Sequence, residues 1–280
     1  MALQGRSVIN INSTASGGGV AELLHGLVAY SRGLGFDVRW VVIEGTPDFF
    51  TITKRVHNGL HQSPGDGGPL GPTERKIYDA VLADNAAEIK SLLRTGDIVI
   101  LHDPQTAGLV SEMQSAGAIV IWRCHVGTND HGGAAAQAWD FLRPYLESAD
   151  AFVFTRDAYR PSWIPRERSV TIKPSIDPLS AKNLPMSAAQ ARSILAHVGL
   201  LWPTGRVGSP TFVRGDRTRS RVDRFADVIQ TGPPPTAEVP LVVQVSRWDR
   251  LKDMIGVMRG FAEYLEGPEE AHLLLAGPVV

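Results

Sequence analysis

Two nearly unbroken apolar runs, residues 98–101 (Ile-Val-Ile-Leu) and 118–122 (Ala-Ile-Val-Ile-Trp), constrain this chain more than any other feature. A strand with one face in water alternates apolar and polar residues. A continuous β-branched run instead marks a strand covered on both faces, as in a parallel sheet flanked by helices. Helical patterns separate the runs. Within residues 73–96, Ile77, Val81, Leu82, Ala86, Ile89 and Leu93 recur at spacings that put them on one helical face, and further helices are expected at 20–30, 48–61, 104–115 and 134–148. Strands are expected also at 7–12, 37–43 and 151–154, and the Gly- and Pro-rich stretch 63–72 reads as a surface loop. The alternation predicts a doubly wound, Rossmann-like α/β domain over residues 1–180.

Beyond that point the order fades. Residues 181–239 hold one expected helix, 188–197, followed by polar, Arg-rich sequence and the stiff run Pro233-Pro234-Pro235, and read as a linker or irregular region. A second α/β unit then begins, with a strand at 241–245, a helix at 253–265 and a strand at 272–275. About 40 residues are too few for a second domain of ordinary size, so residues 240–280 are expected to be the truncated start of one, or to be completed by another polypeptide. An unpaired strand at 272–275 would then favour aggregation and poor solution behaviour.

Composition removes several function classes. Lys plus Arg number 28 against 29 Asp plus Glu, so the net charge of −1 lacks the basic field of a general nucleic-acid binder. With 43% hydrophobic and 20% charged residues the chain is globular rather than disordered. The single cysteine, Cys124, cannot form an internal disulfide, and no apolar run is long enough to span a membrane. These features predict a soluble cytoplasmic protein with no nucleic-acid or membrane partner.

In an open parallel sheet, ligands bind beyond the carboxyl ends of the strands. Gly17, Gly18 and Gly19 follow the first expected strand and precede a helix, where close backbone approach and free amides suit phosphate or sugar oxygens; a tight turn with no ligand explains them equally well. His102 and Asp103 follow the third strand, and Arg123 and His125 the fourth. Either pair could be satisfied structural polar groups, but two such pairs at equivalent strand ends favour a shared cleft in which imidazole and carboxylate meet hydroxyls. Arg247 and Lys252, after the first strand of the second unit, could neutralise a leaving diphosphate, although by composition a solvated basic turn is the commoner reading. No metal site is expected. His57 and His61 stand four apart, but Asn58 occupies the place where a zincin motif needs Glu. Cys124 beside His125 reads as a buried inert thiol, and no Gly-x-Ser-x-Gly elbow occurs.

Residues 12–22 (Asn-Ser-Thr-Ala-Ser-Gly-Gly-Gly-Val-Ala-Glu), 40–45 (Trp-Val-Val-Ile-Glu-Gly), 49–54 (Phe-Phe-Thr-Ile-Thr-Lys), 102–105 (His-Asp-Pro-Gln), 122–125 (Trp-Arg-Cys-His), 174–178 (Pro-Ser-Ile-Asp-Pro) and 245–247 (Val-Ser-Arg) form an ordered set. Together they resemble the trehalose glycosyltransferring synthases, retaining GT-B glycosyltransferases of the large family that includes sucrose synthase. The resemblance implies an enzyme moving glucose from a nucleoside diphosphate glucose (UDP-, ADP- or GDP-glucose) to glucose, giving α,α-trehalose, with no further cofactor required. It implies that the first domain holds the acceptor and the second the donor. Gly17, Gly18 and Gly19 would sit near the donor phosphates, and His102, Asp103, Arg123 and His125 would line the acceptor and reacting sugar. Arg247 and Lys252 match the family's Arg-x4-Lys pattern, with Asp253 where many relatives have Gly. The family's later Glu-x7-Glu motif is not found before Val280, which implies weak or no turnover by these 280 residues alone. Related enzymes are often dimers, which makes a homodimer one expected assembly.

Three other readings stand beside this one. Strand, glycine loop, helix and a second strand ending in Glu44 imitate a dinucleotide-dependent oxidoreductase, but Gly-x-Gly-x-x-Gly spacing is absent. A noncatalytic sugar-binding module fits the short second unit, and a glycosyltransferase with another acceptor fits the same motifs.

Overall fold

The computed structural model describes residues 3–214, 216–225, 227–265 and 271–277. They fall into two compact units, Met1–Asp177 and Pro178–Val280.

The first unit is built on β1 (Val8–Asn12), α1 (Gly19–Gly33), β2 (Val38–Val42), α2 (Pro47–Leu60), α3 (Pro72–Lys90), β3 (Ile98–His102), α4 (Val110–Ser115), β4 (Ile119–Cys124), α5 (Gly133–Leu146), β5 (Ala151–Phe154) and β6 (Ser169–Thr171). Its six strands are all parallel, in the order β2-β1-β3-β4-β5-β6. From β1 the chain winds one way to β2 and the other way through β3 to β6. The topological switch point therefore lies between β1 and β3, where right-handed crossovers place α1 on one face of the sheet and α2 to α5 on the other.

The two faces differ in kind. Ile9, Ile11, Val99, Leu101, Val120, Trp122, Cys124, Phe152 and Phe154 alternate along the strands and are at most 1% exposed. They form one core with Phe49 and Val56 of α2, Tyr78 and Leu82 of α3, and Phe141 and Leu142 of α5. On the opposite face the same alternation presents Asn10, Asn12 and His102, all buried. Polar side chains enclosed in a sheet must find partners among themselves.

The helix expected at 104–115 is in fact a 3-10 turn over Pro104–Leu109 leading into α4. Tyr78 explains the change. Its hydroxyl donates to the Pro104 carbonyl at 2.6 Å and accepts from the Gly108 amide at 3.0 Å, diverting both groups from an α-helical ladder. A Cβ on Gly108 would stand 2.7 Å from Leu82 Cδ1, so the turn packs against α3 only without a side chain there. Tyr78→Phe is expected to cost about 1–3 kcal/mol through the two stranded backbone groups. Urea unfolding checks this as a lower midpoint with an unchanged m-value.

In the second unit, α6 (Ala188–His197) is opened by a capping box between Ser187 and Gln190. β7 (Thr211–Val213) and β8 (Arg219–Arg221) form an antiparallel pair that the polar sequence did not announce. β9 (Leu241–Val245), α7 (Met254–Tyr264) and β10 (His272–Ala276) make one parallel βαβ unit. The amide of Trp202 donates to the carbonyl of Pro235 at 2.8 Å, tying the proline run into this unit. Among the described residues no helix is long and apolar enough to cross a membrane.

Candidate active site

β1 ends at Asn12, and the chain reaches α1 through a loop in which Gly17 (φ 74°) and Gly18 (φ 90°) take left-handed conformations that favour glycine. No heavy atom lies within 4 Å of where a Cβ would stand at either position or at Gly19. Gly18 caps α1 without a side chain. The loop is fixed from behind. Asn12 accepts from the Trp40 indole N–H at 2.8 Å and donates to the Thr14 carbonyl at 2.8 Å. His25 Nε2 donates to the Ala15 carbonyl at 3.1 Å, and its ring meets Trp40 edge-on with centroids 4.8 Å apart.

One strand away, β3 and β4 bring the His102-Asp103 and Arg123-His125 pairs together. Asp103 adopts φ 63°, ψ 178°, a region that costs a non-glycine residue about 1–3 kcal/mol and persists only where the surroundings over-determine it. They do so here. The Asp103 amide donates to the Arg123 carbonyl at 2.9 Å. Its carbonyl accepts from Trp122 Nε1 at 3.1 Å and from the Thr106 hydroxyl at 3.2 Å. Its carboxylate Oδ1 accepts from the His125 amide at 2.7 Å. The carboxyl is thereby clamped at the strand ends, next to His125.

Burial pushes the Asp103 carboxyl up to about 7, against the opposing pull of the His125 amide and the Arg123 guanidinium. Burial, with Arg123, pushes His125 down to about 4. His102 is held well below the ordinary imidazole range by burial, His125 and Arg123. Both imidazoles are therefore neutral at pH 7, beside a carboxyl whose protonated form is favoured far more than in water. Such a set can donate to and accept from hydroxyl groups at little charge cost. Arg123 is partly buried, and its guanidinium is pushed down by that burial.

The ring of His102 is 1% exposed, with Nδ1 3.0 Å from His125 Nε2 and Nε2 3.1 Å from Asn10 Oδ1. Both of its ring nitrogens are thus engaged within the protein. Cys124 lies in the core, its thiol donating to the Val126 carbonyl at 3.1 Å while burial pushes it well up.

Arg247 and Lys252 belong to the second unit, in the turn between β9 and α7. Arg247 pairs with Asp249 at 3.1 Å and keeps 42% of its side chain exposed. Lys252 closes a 3-10 turn over Arg250–Lys252, its carbonyl accepting from the Gln244 amide at 2.7 Å. A cavity of about 300 Å³ beside this turn is lined by Trp248, Asp249, Arg250, Asp253, Met254 and Ile255. Asp253 sits at φ 50°, ψ 47°, a left-handed conformation that favours glycine, and its carboxylate caps α7 by accepting from the Gly256 amide at 3.0 Å. Asp253→Ala is expected to cost about 1–2 kcal/mol, from the lost cap and left-handed strain, and Asp253→Asn almost nothing. Thermal denaturation of the two variants checks the difference.

The family model described as "Trehalose synthase, N-terminal domain" matches residues 10–161. The chain belongs to the trehalose synthase family. It is 34% identical to the trehalose synthase of Thermococcus litoralis over 98% of this chain and 56% of that protein. It is likewise 34% identical to the trehalose synthase of Rubrobacter xylanophilus, over 98% of this chain and 57% of that protein. The chain thus spans a little over half the length of these curated relatives. Among solved structures it is similar to the E. coli trehalose-6-phosphate protein bound with UDP-2-fluoro glucose, with a TM-score of 0.63, 12% identity, and coverage of 98% of this chain and 65% of that one. At that identity the likeness concerns the fold, the Rossmann-like α/β fold of a GT-B N-terminal domain.

Three residues that brace the candidate site escaped a functional reading of the sequence: Asn10, Asn12 and Trp40. The signal was present. Asn is depleted in strands, yet it recurs with period two between the isoleucines of Val8–Asn12, so both amides must share one face and find partners there.

Proposed function

We propose that this protein serves retaining glucosyl transfer from a nucleoside diphosphate glucose to glucose, giving α,α-trehalose. The observation that carries the reading is Asp103, a carboxyl held desolvated and in a strained backbone conformation at the switch point, clasped to neutral His125. Membership of the trehalose synthase family makes sugar hydroxyls the natural occupants of such a site. The UDP-2-fluoro glucose bound by the E. coli neighbour supports a nucleotide-sugar donor.

In this reading Asp103, Arg123 and His125 hold the acceptor glucose, and the loop of Gly17, Gly18 and Gly19 offers backbone amides to the donor. The acceptor hydroxyl oxygen bonds to the donor's anomeric carbon from the face on which the diphosphate departs. As the carbon–oxygen bond to phosphate breaks, the hydroxyl proton passes to a leaving phosphate oxygen. Arg247 and Lys252 neutralise the charge that develops there. The protein contributes positioning and electrostatic stabilisation, so no paired glycosidase carboxylates are needed.

The test has two parts. This chain, and a longer one that continues through the Glu-x7-Glu motif, are incubated with UDP-, ADP- or GDP-glucose and either glucose or glucose 6-phosphate, and products are separated by chromatography; glucose is also titrated calorimetrically. Trehalose formation by the longer chain, with saturable glucose binding by both that Asp103→Asn weakens, is the expected result. NADH binding without sugar binding would overturn the reading in favour of an oxidoreductase, and exclusive use of glucose 6-phosphate would replace the acceptor.

A further inference from the structure

We propose that Asn10 and His102 are positioning residues that set the tautomer of His125, keeping hydrogen on its Nε2 and leaving its Nδ1 as a bare acceptor. Asn10 lies on β1, 1% exposed, with its amide oxygen 3.1 Å from His102 Nε2. A carbonyl oxygen can only accept, so His102 carries its hydrogen on Nε2. His102 is neutral, because burial, His125 and Arg123 all disfavour its charged form. Its Nδ1 therefore presents a lone pair. That lone pair lies 3.0 Å from His125 Nε2, and the two rings are within 15° of parallel. His125 Nε2 must then be the donor, and a neutral imidazole with hydrogen on Nε2 has none on Nδ1.

Among the described residues His125 Nδ1 has no hydrogen-bond partner, while the backbone of His125 is fixed independently by its amide bond to Asp103 at 2.7 Å. The open nitrogen is thus an acceptor by construction, in a residue that a reversed tautomer would turn into a donor. This assigns a purpose to a buried asparagine in the middle of an apolar strand. A hydrophobic residue there would strand the His102 Nε2–H and free the whole chain to reverse. It also narrows the class of partner: His125 would accept from a hydroxyl, as a sugar provides, and would not favour a bare phosphate oxygen. That last step rests on the proposed sugar site; the tautomer itself does not.

The experiment is long-range ¹H–¹⁵N correlation at pH 7 on protein labelled at histidine, with His102→Gln and His125→Asn used only to assign the two rings. The expected spectrum has His125 protonated on Nε2 and unprotonated on Nδ1. In Asn10→Leu, loss of the acceptor is expected to move His125 wholly or partly to the Nδ1–H form. His125 found with hydrogen on Nδ1 in the unaltered protein would overturn the proposal, as would an Asn10→Leu spectrum identical to the original. Should Asn10→Leu not fold, the unaltered protein still decides the assignment. Added glucose is expected to shift His125 Nδ1 selectively. A correct tautomer that glucose leaves unmoved would refute the sugar reading while leaving the relay intact.

Discussion

Asp103→Asn is expected to make the protein more stable at pH 8 while weakening glucose binding roughly 10- to 100-fold, the loss of a charged hydrogen-bonding partner. The stability gain follows from linkage. In the folded state the Asp103 carboxyl is raised from 3.8 to about 7. The folded protein therefore binds more protons here than the unfolded chain between those values, and stability falls as pH rises through that window. At about 1.4 kcal/mol per unit, the loss reaches at most about 4 kcal/mol above pH 7. Asparagine keeps an oxygen for the His125 amide and has no charge to desolvate, so the variant escapes the loss. His125 works in the opposite sense. Its depression from 6.5 to about 4 means that the unfolded chain takes up the proton first, so this contribution is present above pH 6.5 and is lost as pH falls towards 4. Because His125 is common to both proteins, it cancels from their difference. Urea midpoints are expected to diverge much more at pH 8 than at pH 4.5, where only about 1 kcal/mol of the loss has accrued; equal differences at both would show that Asp103 is not held protonated by its surroundings.

In a chain extended through the Glu-x7-Glu motif, Arg247→Ala is expected to lower kcat/KM for trehalose formation by roughly 30- to 1,000-fold, about 2–4 kcal/mol of lost stabilisation of the departing phosphate. Its guanidinium is 42% exposed but pairs with Asp249, whose side chain is 12% exposed, so removal also strands a largely buried carboxylate oxygen and some loss of melting temperature is expected beside the larger loss of rate. Glucose binding, which the proposed function assigns to Asp103 and His125 of the first unit, is expected to be unchanged. Arg247→Lys should recover part of the rate, since it restores charge without the planar fork. An unaltered kcat/KM in Arg247→Ala would remove this residue from the mechanism.

How legible the site was depended on the kind of information each residue carries. The strands at 98–101 and 118–122 were readable because burial on both faces leaves a one-dimensional trace in residue type. Asp103, Arg123 and His125 could be nominated because the carboxyl ends of parallel strands are where ligands bind. The strain at Asp103 left no trace at all: φ 63° arises because Trp122 and Arg123 of β4, His125 just beyond it and Thr106 of the 3-10 turn grip its backbone and carboxylate together. Tyr78 likewise converts an expected helix into a 3-10 turn from 26 residues away, through a hydroxyl whose position depends on how α3 packs.

His102 marks the boundary most sharply. Its place at the end of β3 is evident from the apolar run before it, and that place by itself points to a ligand contact. Which way its ring faces was settled by the sheet order, which sets β1 beside β3 and so puts Asn10 within 3.1 Å. Periodicity and composition alone determined an α/β chain with parallel strands, a polar rim at their carboxyl ends and a second βαβ start after the proline run, because those properties depend on local pattern. Only the tertiary structure decided which polar groups lost water, which hydrogen bonds joined them and hence what protons they carry, because desolvation and hydrogen-bond direction are set by neighbours distant in sequence.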